Sequence, residues 1–307
     1  MKEALTYDDV LLVPQYSDIE SRSEVDITSS IDSSHYLRVP IISSPMDTVT
    51  EEKMAFAMSQ AGGMGIVHRY NTIENQAKLV SWLKSQAVRS FGAAIGATGD
   101  YEERACALWD AGARVLCVDV AHGHHVVVKK ALKRLREVFG DKIHLMAGNV
   151  ATKKGFEALS DWGADSVRCN IGGGSICSTR VQTGHGVPGL QTITDCAKSD
   201  RSAIIIADGG IKNSGDMVKA IAAGADFVMI GSLLAGTNEA PGVVVTNNLG
   251  EDYKIYRGMA SIDAQKDWRG NLTSAPEGVA TTVPRKGPVK DIIYNLAMGI
   301  RSGLSYS

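Results

Sequence analysis

The chain has 307 residues, 44% of them hydrophobic and 21% charged, with a formal net charge of −2. That balance is ordinary for a soluble globular protein, and the near-neutral charge argues against nucleic acid or an anionic membrane as a partner. No apolar run approaches the ~20 residues of a membrane span, and the N-terminal MKEALTYDDVLLVPQ lacks a signal-peptide core.

Taken from the N-terminus, short β-branched runs recur at roughly 25-residue intervals, each followed by a helical pattern. The predicted strands are Val39–Ser43, Gly63–Val67, Phe91–Ile95, Val115–Val118, Ile143–Ala147, Ser166–Cys169, Ala203–Ala207 and Phe227–Ile230. Predicted helices between them include Glu51–Gln60, Tyr101–Ala111, His125–Phe139, Thr152–Trp162 and Ser214–Ala223. Strands this apolar are buried on both faces, as in a parallel sheet. Eight such units predict an α/β fold, a closed (β/α)8 TIM barrel in one domain. Regularity then breaks: residues 234–287 form a long excursion, read as a lid over the active face, before a closing helix at Val289–Ser302.

The ends of the predicted strands carry Ser44-Pro45-Met46-Asp47, His68, Asp119, Gly148-Asn149, Asn170 to Gly174, Asp208-Gly209-Gly210 and Gly231-Ser232. In a barrel this rim is where chemistry sits. Glycines after strands seven and eight let backbone amides approach a phosphate, so a phosphorylated ligand is expected there. Asp208 would repel phosphate but can accept hydrogen bonds from a ribose diol.

Of the cysteines, Cys106, Cys117, Cys169 and Cys196 fall on predicted helices or strands and read as small packed side chains. With no CxxC pair, the set argues against disulfides or zinc and for a reducing cytoplasm. Cys177 is different, because it lies in Gly172-Gly173-Gly174-Ser175-Ile176-Cys177-Ser178-Thr179-Arg180. A loop so rich in glycine buries little, and nearby Arg180 and amide dipoles favour a thiolate, so Cys177 is the candidate nucleophile. The cluster His122, His124 and His125 has no further ligand at metal spacing and is not expected to hold a metal. Asp119, ending the preceding strand, is the better functional candidate.

GGGSICSTR resembles the catalytic loop of the IMP dehydrogenase/GMP reductase family. The resemblance runs nearly end to end through LTYDDVLLVPQYSDIESRSEVD, PIISSPMDTVTE, GGMGIVHR, VDVAHGH, MAGNVAT, IIADGGIKNSGD, GSLLAGTNEAPG, YRGMAS and PEGV. It implies that Cys177 adds to C2 of a purine 5′-mononucleotide and passes through a covalent thioimidate. It further implies that Ser175, Gly210, Gly231, Ser232 and Tyr256 hold the 5′-phosphate and that Asp208 takes the ribose. Ser44, Met46, Asn149 and Arg168 would surround the nucleotide, and Met259, Ala260 and Glu277 would read the base. Asp119, Gly172 and Gly174 would face the nicotinamide of NAD, and backbone carbonyls of Gly172, Gly174 and Cys177 would form a potassium half-site. A homotetramer is implied as well.

The chain also departs from the pattern. No regulatory Bateman domain interrupts Leu83–Phe91, between predicted strands two and three. The loop GIGPG is here Asn170-Ile171-Gly172-Gly173-Gly174, GMGS is Gly258-Met259-Ala260-Ser261, and the loop's Pro-Gln is Pro188-Gly189. The sequence stops at Ser307, short of the tail that completes the cation site, so potassium dependence is expected to be weak. The flap from Ser261 to Pro276 has Arg269 but not the Arg-Tyr pair with which IMP dehydrogenases activate water. Short flaps without a Bateman domain are the reductase architecture, where a Thr and a Glu serve, here Thr179 and Glu277. The motif wording is that of the dehydrogenases. The expectation is therefore NAD-dependent oxidation of IMP to XMP. The alternatives are reduction of GMP to IMP and ammonia with NADPH, or nucleotide binding without turnover.

Overall fold

The computed structural model describes residues 3–271 and 275–306. Eight parallel strands close into a barrel: β1 Ile41–Ser43, β2 Met64–Val67, β3 Phe91–Ile95, β4 Val115–Asp119, β5 His144–Val150, β6 Ser166–Cys169, β7 Ile204–Asp208 and β8 Phe227–Ile230. Pairing of Val228 with Ile41 and Ile230 with Ser43 seals the last strand to the first. The predicted strands are all present, with ends shifted by a few residues. The largest shift is in β5, which runs on to Val150 where Gly148-Asn149 reads as a turn in sequence.

Side chains alternate between two cores, as the two-residue period of a strand requires. Ile42, Met64, Ile66, Cys117, Met146, Ile206, Phe227 and Met229 fill the barrel interior. Ile41, Val67, Leu116, Leu145, Val167 and Val228 face the helices outside. A hairpin, Ser29–Ser30 paired with Tyr36–Leu37, contributes Ile31 and Leu37 to the interior cluster and so plugs the barrel floor. Burial raises the thiols of Cys117, to about 12, and of Cys169, in keeping with packed and unreactive side chains.

The surrounding helices are α1 Glu52–Ala61, α2 Ile73–Ser85, α3 Tyr101–Ala111, α4 Val126–Phe139, α5 Lys153–Asp161, α6 Thr179–Thr183, α7 Gly189–Cys196, α8 Ser214–Ala222, α9 Ile262–Arg269 and α10 Val289–Leu304. Gly62 and Gly112 close α1 and α3 at φ 96° and 116°, the left-handed cap that returns each helix to its next strand. Among the described residues, no helix is long and apolar enough to cross a membrane.

The excursion after β8 is more ordered than a loop. It contains an antiparallel sheet of β9 Val244–Thr246, β10 Asp252–Arg257 and β11 Ala280–Pro284, with α9 between the last two. Arg257 on β10 ties this sheet to the barrel, donating to Asp47 at 3.0 and 2.7 Å and to Asp267 of α9 at 2.5 Å.

Candidate active site

A cavity of about 590 Å³ opens at the C-terminal ends of the barrel strands. Every site residue expected from the sequence lines it except Arg269, whose side chain lies outside the described residues. His68 is not part of the wall: it is buried, within 3.1 Å of Glu51, and accepts the N–H of Tyr70. It is a structural link, not a ligand.

One end of the cavity is built from glycines. Gly209 and Gly210 follow β7 at φ 83° and 77°, where other residues are strained. A Cβ on Gly209 would lie 3.3 Å from the Gly174 nitrogen, and one on Gly210 would lie 3.2 Å from the Gly173 oxygen. The loops after β6 and β7 therefore touch backbone to backbone. A Cβ on Gly231 would meet Met46 at 3.1 Å, the Tyr256 hydroxyl at 3.3 Å and Ser44 at 3.4 Å. Burial raises the Tyr256 phenol, while its hydrogen bond with Ser175 acts the other way. Ser232 follows Gly231 at the same end of the wall. This pole gathers hydroxyls and open amides in the absence of side-chain bulk.

Beside it stands a buried ion cluster. Arg168 of β6 reaches Asp208 with Nε at 3.0 Å and Nη2 at 2.8 Å, and it also donates to Asp119. Burial opposes its charge, but Asp208 and Asp119 outweigh burial and hold the guanidinium protonated. Asn149 adds a third donor to Asp208 Oδ2 at 2.8 Å. Among the described residues no bond falls on Asp208 Oδ1, which leaves that oxygen for a ligand hydroxyl.

The nucleophile loop is fastened to the return of the flap. Ser178 N–H donates to the Glu277 carbonyl at 3.0 Å, and Val279 N–H donates to the Ile176 carbonyl at 3.0 Å. Ile176 is buried, which leaves Cys177 half-exposed beside it. The Cys177 thiol donates to Thr179 Oγ1 at 3.2 Å, and Thr179 donates in turn to Glu277 Oε2 at 2.8 Å. The thiol's hydrogen-bond partner is thus Thr179 and not Arg180, whose stem packs over Gly172 and Gly186. The Gly174 carbonyl accepts the Cys177 N–H at 3.1 Å.

At the flap side, Met259 Sδ accepts the Asp47 N–H at 3.3 Å, and the Ala260 carbonyl accepts from Gln265 at 3.1 Å. Asp119 marks the opposite side, where sequence reasoning missed Arg69. The Arg69 Nε is buried without a hydrogen-bond partner among the described residues, 3.9 Å from Asp119. The signal was its place directly after β2, next to the His68 that drew attention instead. In the histidine loop, His125 caps α4 through the Val127 N–H at 3.2 Å, and His124 stacks near Trp162 at 5.8 Å. Among the described residues no group of three His, Cys, Asp or Glu side chains is placed to hold a metal ion.

The family model for the IMP dehydrogenase / GMP reductase domain matches residues 4–307. The chain belongs to this family. It is 35% identical to an inosine-5′-monophosphate dehydrogenase of Nitrosopumilus maritimus, over 99% of this chain and 92% of that protein. It is 32% identical to a GMP reductase of Leishmania major, over 100% of this chain and 91% of that protein. A solved structure of a cysteine-to-alanine GMP reductase from Trypanosoma brucei, in complex with guanosine 5′-monophosphate, superposes with a TM-score of 0.93 at 31% identity. That match covers 100% of this chain and 92% of the other. Like these relatives, the protein is an oxidoreductase of the family, built on a TIM barrel. The matches to the two curated relatives run over 441 and 456 positions against 307 residues here. Dehydrogenase and reductase alike thus carry residues within the matched span that this chain lacks. Short length is therefore no mark of the reductase.

Proposed function

We propose that Cys177 adds to C2 of a purine 5′-mononucleotide and that the protein oxidises IMP to XMP with NAD. The observation that carries the covalent step is the unbroken chain from the Cys177 thiol through Thr179 to Glu277, and the direction rests on the dehydrogenase wording of AHGH, GSLLAGTNEAPG, YRGM and PEGV. A proton can pass from sulfur to the Thr179 oxygen while Thr179 passes its own to the Glu277 carboxylate, leaving a thiolate at the cavity. The glycine pole of Gly210, Gly231 and Ser232, with Ser175, Tyr256 and Ser44, suits the 5′-phosphate, and the open Oδ1 of Asp208 suits the ribose. Arg168 and Asn149 fix that carboxylate, and Met46, Met259 and Ala260 flank the base.

Bound NAD supplies a hydride acceptor for C2. Asp119, Gly172 and Gly174 are the residues proposed to flank it, and the Arg69 Nε, without a hydrogen-bond partner among the described residues, is a donor suited to such a ligand. Loss of hydride leaves a thioimidate on Cys177. Once Glu277 has released its proton to solvent, the Thr179–Glu277 pair can deprotonate the attacking water, assisted by Arg269 on the flap. Water displaces Cys177, and IMP, NAD and water give XMP, NADH and one proton.

Potassium on the carbonyls of Gly172, Gly174 and Cys177 stays part of the proposal. The Gly174 carbonyl already spends one lone pair on Cys177, consistent with weak dependence. The reading takes residues 1–307 as one catalytic barrel without a Bateman domain, working in the cytoplasm on a free nucleotide. Leu11, Val13 and Tyr16 on the N-terminal arm are 86%, 76% and 93% exposed, apolar surface that suits assembly into a homotetramer.

A second reading, reduction of GMP to IMP and ammonia with NADPH, is favoured by one observation. No tyrosine stands between Tyr256 and Tyr294, so the flap offers Arg269 no tyrosine partner. The Thr179–Glu277 pair would then protonate departing ammonia. Parallel assays decide: XMP formed from IMP and NAD supports the first reading, and IMP formed only from GMP and NADPH replaces it. No turnover in either assay would leave a binding protein.

A further inference from the structure

The segment after β8 is held from below by two lysines that the proposed chemistry does not use. Gly231 O accepts the N–H groups of Leu234 and Ala235, both at 2.9 Å, so residues 231–235 form a helical turn. The first amides of such a turn point away from its carbonyls and have no partner within it. The carbonyl side is capped by ammonium groups. Lys286 Nζ donates to the Ser232 carbonyl at 2.8 Å and the Leu233 carbonyl at 3.0 Å. Lys254 Nζ, from β10, donates to the carbonyls of Thr237 at 3.0 Å, Ala240 at 2.6 Å and Asn238 at 3.5 Å. Lys254 is buried and Lys286 partly so, and burial lowers the pKa of each.

We propose that Lys286 is a positioning residue for the ligand's 5′-phosphate, acting through the Ser232 peptide, while Lys254 fixes the far end of the same segment. The inference rests on the phosphate reading of Gly231 and Ser232. Three observations support it. First, the lysine that does reach the cavity wall, Lys212, is already paired with Asp8 at 2.5 Å, and Arg168 is engaged by Asp208 and Asp119. Second, Lys286 hydrogen bonds to neutral carbonyls, so its charge is not cancelled by a bonded carboxylate and adds positive potential behind the turn. Third, its backbone is pinned as well: Lys286 N–H donates to Gly236 O at 2.7 Å. Gly236 itself would place a Cβ 2.4 Å from the Pro284 oxygen, so the flap's return strand lies directly on the turn. The ammonium thereby ties the phosphate turn to the same strand pair that delivers Glu277.

The test compares two ligands that differ only in the phosphate. Affinities for IMP and for inosine are measured by calorimetry on the intact protein and on Lys286→Met. The wild type should bind IMP at least tenfold more tightly than inosine. Lys286→Met should lose about tenfold in IMP affinity, roughly 1.4 kcal/mol, and leave inosine within about twofold, since Lys286 acts on the phosphate and not on the base or ribose. Lys286→Arg, which keeps the charge and donors, should restore most of the preference. If Lys286→Met does not fold, Lys286→Gln removes the charge while keeping donors, and a fall in the ratio is expected again. An equal loss for both ligands, or an unchanged ratio, overturns the role of Lys286. A wild type that binds inosine as well as IMP would instead overturn the phosphate reading beneath it.

Discussion

Thr179 bridges Cys177 and Glu277: its hydroxyl oxygen accepts from the thiol at 3.2 Å and its hydroxyl donates to the carboxylate at 2.8 Å. Removing the carboxylate charge should break the relay while leaving the pocket's shape intact. Glu277→Gln is expected to slow steady-state turnover by roughly 10²-fold, the usual scale for a lost general base. Nucleotide affinity should stay within a few-fold. A variant with wild-type turnover would show that another base serves.

Cys177 should be the first cysteine alkylated by iodoacetamide, since Cys117, Cys169 and Cys196 are buried and Cys106, equally half-exposed, packs on α3 against the core away from the Thr179–Glu277 relay. IMP should protect it. Cys177→Ala should abolish turnover yet bind nucleotide within about tenfold of wild type, because the thiol makes the covalent bond and not the phosphate contacts. Equal labelling of several cysteines, read by peptide mass, would refute the assignment.

Asp208→Ala should cost about 1.5–3 kcal/mol of nucleotide binding, one to two decades in Kd. It also strips Arg168 of one of its two carboxylates, so the melting temperature should fall as well. Titration of IMP into this variant at unchanged affinity would mean that the ribose is bound elsewhere.

The barrel floor should impose a pH dependence of its own. Burial works to raise Asp32, but the bonds from His144, the Ser34 N–H and His35 outweigh it and hold its carboxyl well below the usual range. A depressed carboxyl stabilises the fold above its unfolded pKa, about 3.9, and loses that contribution as pH falls through the folded value. Asp32→Asn should therefore melt lower than wild type at neutral pH. The gap should narrow as pH drops below about 4. Thermal melts across that range with a constant gap would contradict this coupling.

Much of the site was legible because a parallel barrel brings every strand's C-terminal end to one mouth. Asp119, Asn149, Arg168 and Asp208 sit on four different strands and still converge. The flap sheet was not legible. Two of its strands, Val244–Thr246 and Ala280–Pro284, are largely exposed, and Asp252–Arg257 buries Lys254 and Tyr256 while exposing Ile255, so no apolar alternation marks it as a strand. Lys254 and Lys286 were passed over because a lysine in sequence reads as solvated, and only the fold shows five carbonyls facing the pair. Arg69 was missed for a related reason, since its buried Nε faces Asp119 only once the barrel closes and brings the ends of β2 and β4, either side of β3, to one mouth.

The direction of the chemistry is tested most directly by mixing IMP and NAD rapidly with the enzyme and following NADH. With no tyrosine in the flap sequence beside Arg269, hydrolysis of the Cys177 adduct should limit the rate. A burst of about one NADH per active site should then precede slow turnover. Glu277→Gln should slow the burst, because Glu277 takes the Cys177 proton, as well as the phase after it. No burst from IMP and NAD, together with ammonia released from GMP in the presence of NADPH, would contradict the dehydrogenase account.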